Sequence, residues 1–268
     1  MLDLEGFGRV ERATGGSDTT VWHLERSHRQ YALRVFRPEQ TGTLRRELVA
    51  LGAASAGGVP VPRVFAAVTH TRRPALLMQW CQGRPLRDDL RERPGRVFGL
   101  ARQFGRWQAA IHRLAAPVSL RTTWIDWAGP LEPGFAAHLA ALAEPSRRQL
   151  LHLDYHPLNV LVHHGRVSAV LDWANAHAGD PRADFARTVT ILRLSPPRGG
   201  SAERVGRLLL ELGWRLGYGG PGAHMPSFYA WAGLAMQHDL AGRFGAAELA
   251  HVRRWTESWL RGLPSVAR

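Results

Sequence analysis

The chain has 268 residues, which is long enough for one large domain or for two lobes with substantial cores. Its hydrophobic fraction of 45% excludes wholesale disorder, and no apolar run approaches the roughly 20 residues that a membrane helix needs. The single cysteine, Cys81, excludes an internal disulfide framework and fits a reducing compartment. Because the first ten residues lack the pattern of a signal peptide, we expect a soluble cytoplasmic protein with no membrane partner.

The formal charge of +13 raises the question of a nucleic-acid partner. All 35 basic residues are arginine, which indicates a compositional bias as much as a binding surface. The arginines are spread along the chain in singles and pairs, whereas a nucleic-acid binder clusters them or mixes them with stacking aromatic side chains. We therefore expect a solvated arginine-rich surface and no nucleic-acid partner.

The first third of the chain is predicted to form strands and one helix. Alternating and β-favouring residues predict strands on both sides of a glycine turn within residues 11–25, and a further strand within 29–38. Residues 43–55 have helical period, and a glycine pair follows them. Two more strands are predicted within 61–70 and 74–80.

The rest of the chain is predicted to be mainly helical, with one strand pair at residues 160–173. Apolar residues recur at helical spacing, for example at Val205, Leu208, Leu209 and Leu212, which normally marks the face of a helix that packs on the core. The helices are predicted at residues 96–114, 201–217, 227–241 and 246–263.

A polar motif carries the chemistry: His152-x-Asp154-x4-Asn159, with Asp172 at the end of the following strand pair. Asp154 and Asn159 share one loop, and Asp172 brings a carboxylate from the other side. Mg²⁺ prefers such oxygen ligands, and phosphoryl transfer demands mainly positioning and charge neutralisation. An aspartate with an ordinary pKa near ~4 is a poor base for an alcohol, so we expect Asp154 to orient the hydroxyl and accept its proton late.

Motifs spread over nearly the whole chain resemble those of the aminoglycoside phosphotransferase and choline-kinase-like enzymes, small-molecule relatives of protein kinases. The tandem of HLDYHPLNVLV and VLDWANAHAGDPRADFART is the most specific part, and RATGGSDTTVW, YALRVF, RREL and LLMQWCQG add to it. The resemblance implies an α+β, bilobal protein-kinase-like fold. A small antiparallel sheet with one helix, residues 1–82, would bind the nucleotide, and a larger helical lobe, residues 83–268, would hold the catalytic and acceptor sites.

The resemblance also implies an ATP-dependent kinase that uses Mg²⁺, with GTP as an alternative donor, and it assigns roles to individual residues. Asp154 is the implied catalytic base, and Asn159 and Asp172 are the implied metal ligands. Support of the catalytic loop is implied for His152, Asp180 and Asp184. The implied nucleotide contacts are the turn Gly15, Gly16 and Ser17 over the phosphates, the pair Arg34 and Glu47, and the segment Met78, Gln79, Trp80 and Cys81 near adenine.

Three alternatives stay open at this point. Arg34 and Glu47 can form a purely structural ion pair, which is compatible with a role at the phosphates. His152 and His156 are spaced as metal ligands, but zinc needs further soft ligands and Cys81 is the only thiol. Asp180, before Pro181, can cap a helix instead of supporting the loop.

Several residues depart from the family pattern. Arg34 stands in place of the usual lysine, and the two side chains differ in geometry and hydration. Leu153 occupies a position where many relatives have glycine. Asp172 is followed by Trp173 rather than Phe-Gly, so protein kinases themselves match poorly.

The acceptor is predicted only as a class: a hydroxylated small molecule such as an antibiotic, a sugar or an amino alcohol. Acids are outnumbered by arginines from residue 201 onwards, which disfavours a polycationic acceptor. Asp239 is predicted to contact the acceptor, and most tryptophans are predicted to belong to the core. A catalytically silent, nucleotide-binding regulatory protein on the same fold is the alternative function.

Overall fold

The computed structural model describes residues 7–13, 19–69, 72–143, 148–195 and 201–263. Its first part is a five-stranded antiparallel sheet in the order β1-β2-β3-β5-β4. The predicted strands are confirmed, and the strand pair β1–β2 flanks residues 14–18, which lie outside the described residues and for which a glycine turn is predicted. The strands are β1 (Arg9–Arg12), β2 (Thr20–Arg26), β3 (Arg29–Val35), β4 (Val64–Val68) and β5 (Ala75–Gln79).

Helix α1 (Thr41–Ala56) is the one α-helix of this part among the described residues, as predicted. It ends directly before Gly57 and Gly58, and Gly58 has a left-handed φ of 75° that glycine adopts without strain. The helix presents an apolar face with one acid in it. Its buried residues are Leu44, Glu47, Ala50, Leu51 and Ala54.

The second part is mainly helical, and together with the sheet it gives the predicted α+β architecture. Two small sheets support it: β6 (Arg84–Pro85), β8 (Val160–His163) and β9 (Arg166–Val170) pair in that order, and β7 (Gln149–Leu151) pairs with β10 (His177–Gly179). The helices are α2 (Leu86–Glu92), α3 (Val97–Ile111), α4 (Pro133–Leu142), α5 (Pro181–Leu194), α6 (Ser201–Tyr218), α7 (Met225–Leu240) and α8 (Ala250–Arg261).

Helix α6 packs on α3 through glycines, and this corrects the predicted core face. A Cβ on Gly105 would fall on the carbonyl oxygen of Trp214 and lie 2.7 Å from the backbone nitrogen of Tyr218. Because Gly105 has no side chain, the backbones of the two helices can come into direct contact here. The predicted apolar repeat instead faces outwards: Val205 is 55% exposed, Leu208 68%, Leu209 39% and Leu212 51%.

Tryptophans fill much of the helical core, as predicted. Trp214 and Trp231 are fully buried, and Trp124 is nearly so. Trp124 packs edge-on against Trp231 with ring centroids 4.9 Å apart, a favourable aromatic geometry. Among the described residues, no helix is both long and apolar enough to cross a membrane.

Candidate active site

The catalytic loop runs from β7 to β8 and is held by a buried carboxylate of helix α5. The backbone N–H groups of His152 and Leu153 donate to the two oxygens of Asp184 over 2.7 and 2.9 Å. His112 also bonds Asp184, over 2.9 Å from Nε2. Burial acts to raise the pKa of Asp184, but the hydrogen bond and charge of His112 outweigh it and hold that pKa below its usual range. A buried carboxylate with this many donors is a strong anchor.

The loop turns at Leu153, whose φ of 60° lies in the left-handed region. This conformation costs a residue with a Cβ about 1 kcal/mol, whereas glycine adopts it freely. Leu153, which stands where many relatives have glycine, therefore adopts a backbone conformation that favours glycine. Burial of its side chain offsets part of the strain.

His152 is buried inside the loop as a hydrogen-bonding residue. Its Nε2 donates to the Leu171 carbonyl over 2.9 Å, and its Nδ1 accepts the backbone N–H of Asp154 over 3.3 Å. Burial lowers its pKa, so the ring is neutral with its proton on Nε2. No group of three or more His, Cys, Asp or Glu residues suited to a metal occurs in the part of the chain that the structure describes. The zinc alternative therefore lacks its ligands.

Asp154 follows the strained residue and is paired on both sides. The Asn159 side-chain amide donates to its Oδ2 over 3.1 Å, and His156 Nε2 lies 3.4 Å from its Oδ1. Burial acts to raise the pKa of Asp154, but the hydrogen bond and charge of His156, together with the charge of Arg187, outweigh burial and lower that pKa to about 2. The group is therefore a carboxylate at neutral pH.

Asn159 and Asp172 meet at one end of the β8–β9 hairpin. Val160 pairs with Val170 in the ladder, and one step further the Leu171 N–H donates to the Asn159 carbonyl over 2.7 Å. Asp172 then takes a left-handed φ of 61°, and its side chain stays 40% exposed. Because Asn159 uses its amide nitrogen for Asp154, its amide oxygen is the group left for a cation. An amide oxygen and an exposed carboxylate are ligands of the kind that Mg²⁺ takes.

Arg34 connects the sheet to this site. Its Nη1 donates to Glu47 over 2.7 Å, its Nη2 to Asp172 over 3.0 Å and its Nε to Thr19 over 2.8 Å. Burial raises the pKa of Glu47 to about 7 even though Arg34 opposes this shift. Burial acts to lower the pKa of Arg34. The charges of Glu47 and Asp172 and their hydrogen bonds with Arg34 outweigh burial and raise that pKa. The structural ion pair and the position beside Asp172 thus coexist.

The other expected nucleotide contacts are placed only in part. Gly15, Gly16 and Ser17 lie outside the described residues. Met78 and Gln79 end β5, where Met78 is buried and Gln79 exposed. The backbone N–H of Trp80 donates to the Gln30 carbonyl over 3.2 Å, and the Trp80 ring packs on His23. Cys81 is half-buried, and burial raises the pKa of its thiol to about 11.

The two aspartates of GDPRAD have different positions. Asp184 bonds the catalytic loop as described, whereas Asp180 caps α5: its Oδ1 accepts the Arg182 N–H over 2.9 Å, with Pro181 at the first helical position. Its carboxylate also pairs with the Arg182 guanidinium over 2.6 Å. The expectation that Asp180 supports the loop is therefore corrected in favour of the helix-capping alternative.

Asp239, at the end of α7, has both oxygens engaged. Its Oδ2 accepts from Arg187 Nη2 over 2.6 Å, and its Oδ1 accepts from Trp127 Nε1 over 2.9 Å. Sequence reasoning missed Arg187 and His112, which bond the loop and its anchor. The available signal for Arg187 was its spacing: it lies three residues after Asp184 on a helix whose start Pro181 marks, and so on the same face.

Fold and site together define a class of protein. A small antiparallel sheet with one helix, followed by a helical part that carries an Asp-Asn loop and a second aspartate, is the arrangement of kinase-like phosphotransferases. The profile of the Phosphotransferase enzyme family matches residues 9–138 and 126–218. The chain belongs to this family, and the predicted class, a phosphotransferase enzyme, is confirmed.

Solved structures agree with the fold. Aminoglycoside phosphotransferase APH(4)-Ia, as a thermostable mutant in a ternary complex with ADP and hygromycin B, is 18% identical, with 97% of this chain and 96% of that chain covered and a TM-score of 0.68. Amicoumacin kinase hAmiN, in complex with AMP-PNP, Ca²⁺ and Ami, is 15% identical over 95% and 89%, with a TM-score of 0.64. A putative fructosamine-3-kinase from Haemophilus somnus is 12% identical over 95% and 92%, also at 0.64. No curated protein sequence matches the chain.

Proposed function

We propose that this phosphotransferase moves the γ-phosphate of ATP to a hydroxyl of a small molecule, with residues 1–82 binding the nucleotide and 83–268 the acceptor. The observation that carries the proposal is the meeting of Asp154, Asn159 and Asp172 at one end of the β8–β9 hairpin. Family membership supports the reaction class, and phosphoryl transfer needs this positioning of charges more than it needs covalent chemistry.

Asp154 would act by orienting the acceptor. With a pKa of about 2 it is ionised at neutral pH and is too weak a base to remove an alcohol proton early. It would accept a hydrogen bond from the hydroxyl and take the proton as the bond between the acceptor oxygen and the γ-phosphorus forms, while the bond from that phosphorus to the β–γ bridging oxygen breaks and ADP leaves. The hydrogen bond from Asn159 fixes the carboxylate for this role.

Mg²⁺ fits the donor set at the hairpin end. The oxygens of Asn159 and Asp172 would hold it, and the ion would supply neutralisation of phosphate charge. Arg34 would add a guanidinium beside the same phosphates. Its bonds to Glu47 and Asp172 keep it directed at the junction of sheet and hairpin, as a planar donor group requires. GTP is a further donor to test.

The acceptor class follows the family only broadly. The solved structures that share the fold include an aminoglycoside phosphotransferase with bound hygromycin B, an amicoumacin kinase with bound Ami and a putative fructosamine-3-kinase. We expect a hydroxylated antibiotic, sugar or amino alcohol. Both oxygens of Asp239 already accept hydrogen bonds within the protein, which argues against Asp239 as the partner of an acceptor's ammonium group.

An acceptor panel tests the proposal. The purified protein is incubated with Mg²⁺, with ATP or GTP, and with aminoglycosides, other hydroxylated antibiotics, sugars and amino alcohols, and products are read by mass spectrometry. A phosphorylated product that is formed by the native protein and not by Asp154→Asn is expected. Asp154→Asn should still bind AMP-PNP, whereas Asp172→Ala should lose both Mg²⁺-dependent binding and turnover.

The alternative, a silent nucleotide-binding regulatory protein, has a distinct outcome in the same experiment. It predicts tight AMP-PNP binding, no phosphorylated product from any acceptor and no ATP hydrolysis. Unchanged turnover in Asp154→Asn would contradict the role given to that carboxylate, whatever the acceptor proves to be.

A further inference from the structure

Arg187 is a buried cation beside the reacting groups that no step of the proposed reaction uses. It lies on helix α5 with only 5% of its side chain exposed. Its Nε contacts the Leu153 carbonyl over 3.4 Å, and its Nη2 donates to Asp239 over 2.6 Å. Its Nη1 is buried and has no hydrogen-bond partner among the described residues. Burying an N–H group without a hydrogen-bond partner is unfavourable, so its retention calls for a reason.

One face of α5 holds the catalytic loop at three successive points. Asp184 accepts the N–H groups of His152 and Leu153, Arg187 contacts the Leu153 carbonyl, and the Thr188 hydroxyl donates to the Tyr155 carbonyl over 3.0 Å. Positions 184, 187 and 188 have the i, i+3, i+4 spacing of one helix face. The middle contact is the one that directly precedes Asp154.

The peptide between Leu153 and Asp154 has particular need of such a contact. Leu153 holds a left-handed φ of 60°, which is strained for leucine. Its N–H is fixed by Asp184 and its carbonyl by Arg187, so both of its peptide groups are tied to the same helix. Loss of the carbonyl contact would let this peptide rotate and would move the Asp154 side chain with it.

Asp239 completes the arrangement from helix α7. A buried guanidinium needs a counter-charge, and Asp239 supplies it at 2.6 Å while its other oxygen accepts from Trp127. The acid is therefore placed to orient Arg187 rather than to meet a ligand directly.

We propose that Arg187 is a positioning residue that fixes Asp154 through the Leu153 carbonyl, and that Asp239 acts on the reaction through Arg187 and not as an acceptor contact. The inference rests on the proposed phosphotransfer, and it differs from the sequence-based expectation for Asp239. It also predicts a distinctive kinetic pattern: Asp239 affects the rate of transfer and leaves the affinity for the acceptor nearly unchanged.

Kinetics of four variants test it: Arg187→Met, Arg187→Lys, Asp239→Asn and the double variant Arg187→Met/Asp239→Asn. With MgATP and water as acceptor, and with any acceptor found in the panel, Arg187→Met should lower kcat about 10–100-fold, as misplacement of a reacting group does. KM values should stay within about twofold. Arg187→Lys should recover part of the loss. The double variant should be no slower than Arg187→Met alone, because coupled residues are not additive.

Amide hydrogen exchange of the loop peptide, residues 150–159, gives a readout that does not depend on turnover. Exchange should be faster in Arg187→Met and in Asp239→Asn than in the native protein. Arg193→Met is the matched control: Arg193 lies on the same helix and pairs with Glu211 over 2.7 Å, away from the loop. That variant should leave loop exchange and kcat unchanged.

Each outcome decides something. Unchanged kcat and unchanged exchange in Arg187→Met would overturn the inference, as would an equal effect in Arg193→Met, which would indicate general loosening of the helix. A raised acceptor KM in Asp239→Asn, with full additivity in the double variant, would restore Asp239 as an acceptor contact. If the native protein itself turns over neither ATP nor any acceptor, the proposed function fails, and loop exchange alone then decides whether Arg187 positions the loop.

Discussion

The segment from the catalytic loop through the β8–β9 hairpin (residues 152–172) and helix α6 both carry strong sequence patterns, but their structural outcomes differ. In the first segment, the Asn159 amide donates to Asp154, and Leu171, the neighbour of Asp172, donates its N–H to the Asn159 carbonyl. In α6, the apolar repeat that includes Leu208 and Leu212 faces outwards, and the packed face carries glycines instead. Polar groups in a site have few acceptable partners, whereas apolar periodicity gives a helix without saying which neighbour comes closest.

The glycine contact between α3 and α6 gives the largest expected effect on stability. Gly105→Ala would put a Cβ onto the Trp214 carbonyl oxygen, and backbone cannot move aside as a side chain can. We expect a loss of about 3 kcal/mol or more in the free energy of unfolding, measured by urea denaturation.

Gly99 is the matched control on the same helix, because a Cβ there meets nothing within 4 Å. Gly99→Ala should stabilise the protein by about 0.5–1 kcal/mol through helix propensity. If both alanine variants had the same stability, the close packing of α3 on α6 would be wrong.

The carboxylate that anchors the catalytic loop, Asp184, gives the next effect, and this effect depends on pH. The Asp184 carboxylate bonds two backbone N–H groups and His112. Asp184→Asn removes its charge and should lower the free energy of unfolding by about 3 kcal/mol at pH 7. Because the pKa of Asp184 is lowered on folding, its contribution is present above the unfolded value near ~4 and is lost as pH falls below it.

The stability difference between native protein and Asp184→Asn should therefore shrink as pH falls below about 4, in denaturation curves recorded over a pH series. A difference that stays constant over that range would show that the charge of Asp184 contributes nothing to the anchor.

Leu153 allows a smaller test, which compares two truncations of one buried side chain. In most positions alanine is more stable than glycine, but the φ of 60° reverses the preference here. Leu153→Gly should be more stable than Leu153→Ala by about 1 kcal/mol, even though both lose the burial of leucine. Thermal unfolding of the pair measures this, and an advantage for alanine would contradict the left-handed turn.

The exposed stripe of α6 gives the smallest effect. Leu208→Gln should change the free energy of unfolding by less than about 0.5 kcal/mol, since the side chain is 68% exposed. Leu210→Ala, on the buried side of the same helix, should cost about 2–5 kcal/mol. If chemical denaturation showed similar losses of stability for Leu208→Gln and Leu210→Ala, the outward orientation of the apolar repeat would be wrong.

Much of the site was predictable because its chemistry restricts residue types. The loop and the hairpin after it follow from the spacing of their residues. The pair of Arg34 and Glu47 was implied by the family resemblance, and the structure shows this ion pair with Glu47 buried. Arg187 was not predictable as a contact of Leu153, since the two are brought together only by the packing of α5 on the loop.

Parts of the fold escaped prediction for other reasons. Strands β7 and β10 have three residues each, too few for alternation to register. Helices α2 and α4 are short and lack a regular apolar stripe. In α6 the packed side combines Leu210 and Trp214 with the glycines that contact α3, and those glycines carry no hydrophobic signal.

The guanidinium at position 34 has a consequence for chemical labelling. Acylating nucleotide analogues capture kinase-like proteins by reacting with an amine near the phosphates, and a guanidinium held by Glu47, Asp172 and Thr19 offers no such nucleophile. Since the chain has no lysine anywhere, an ATP analogue that must acylate a lysine side chain would not label the proposed nucleotide site, even when that site is fully occupied.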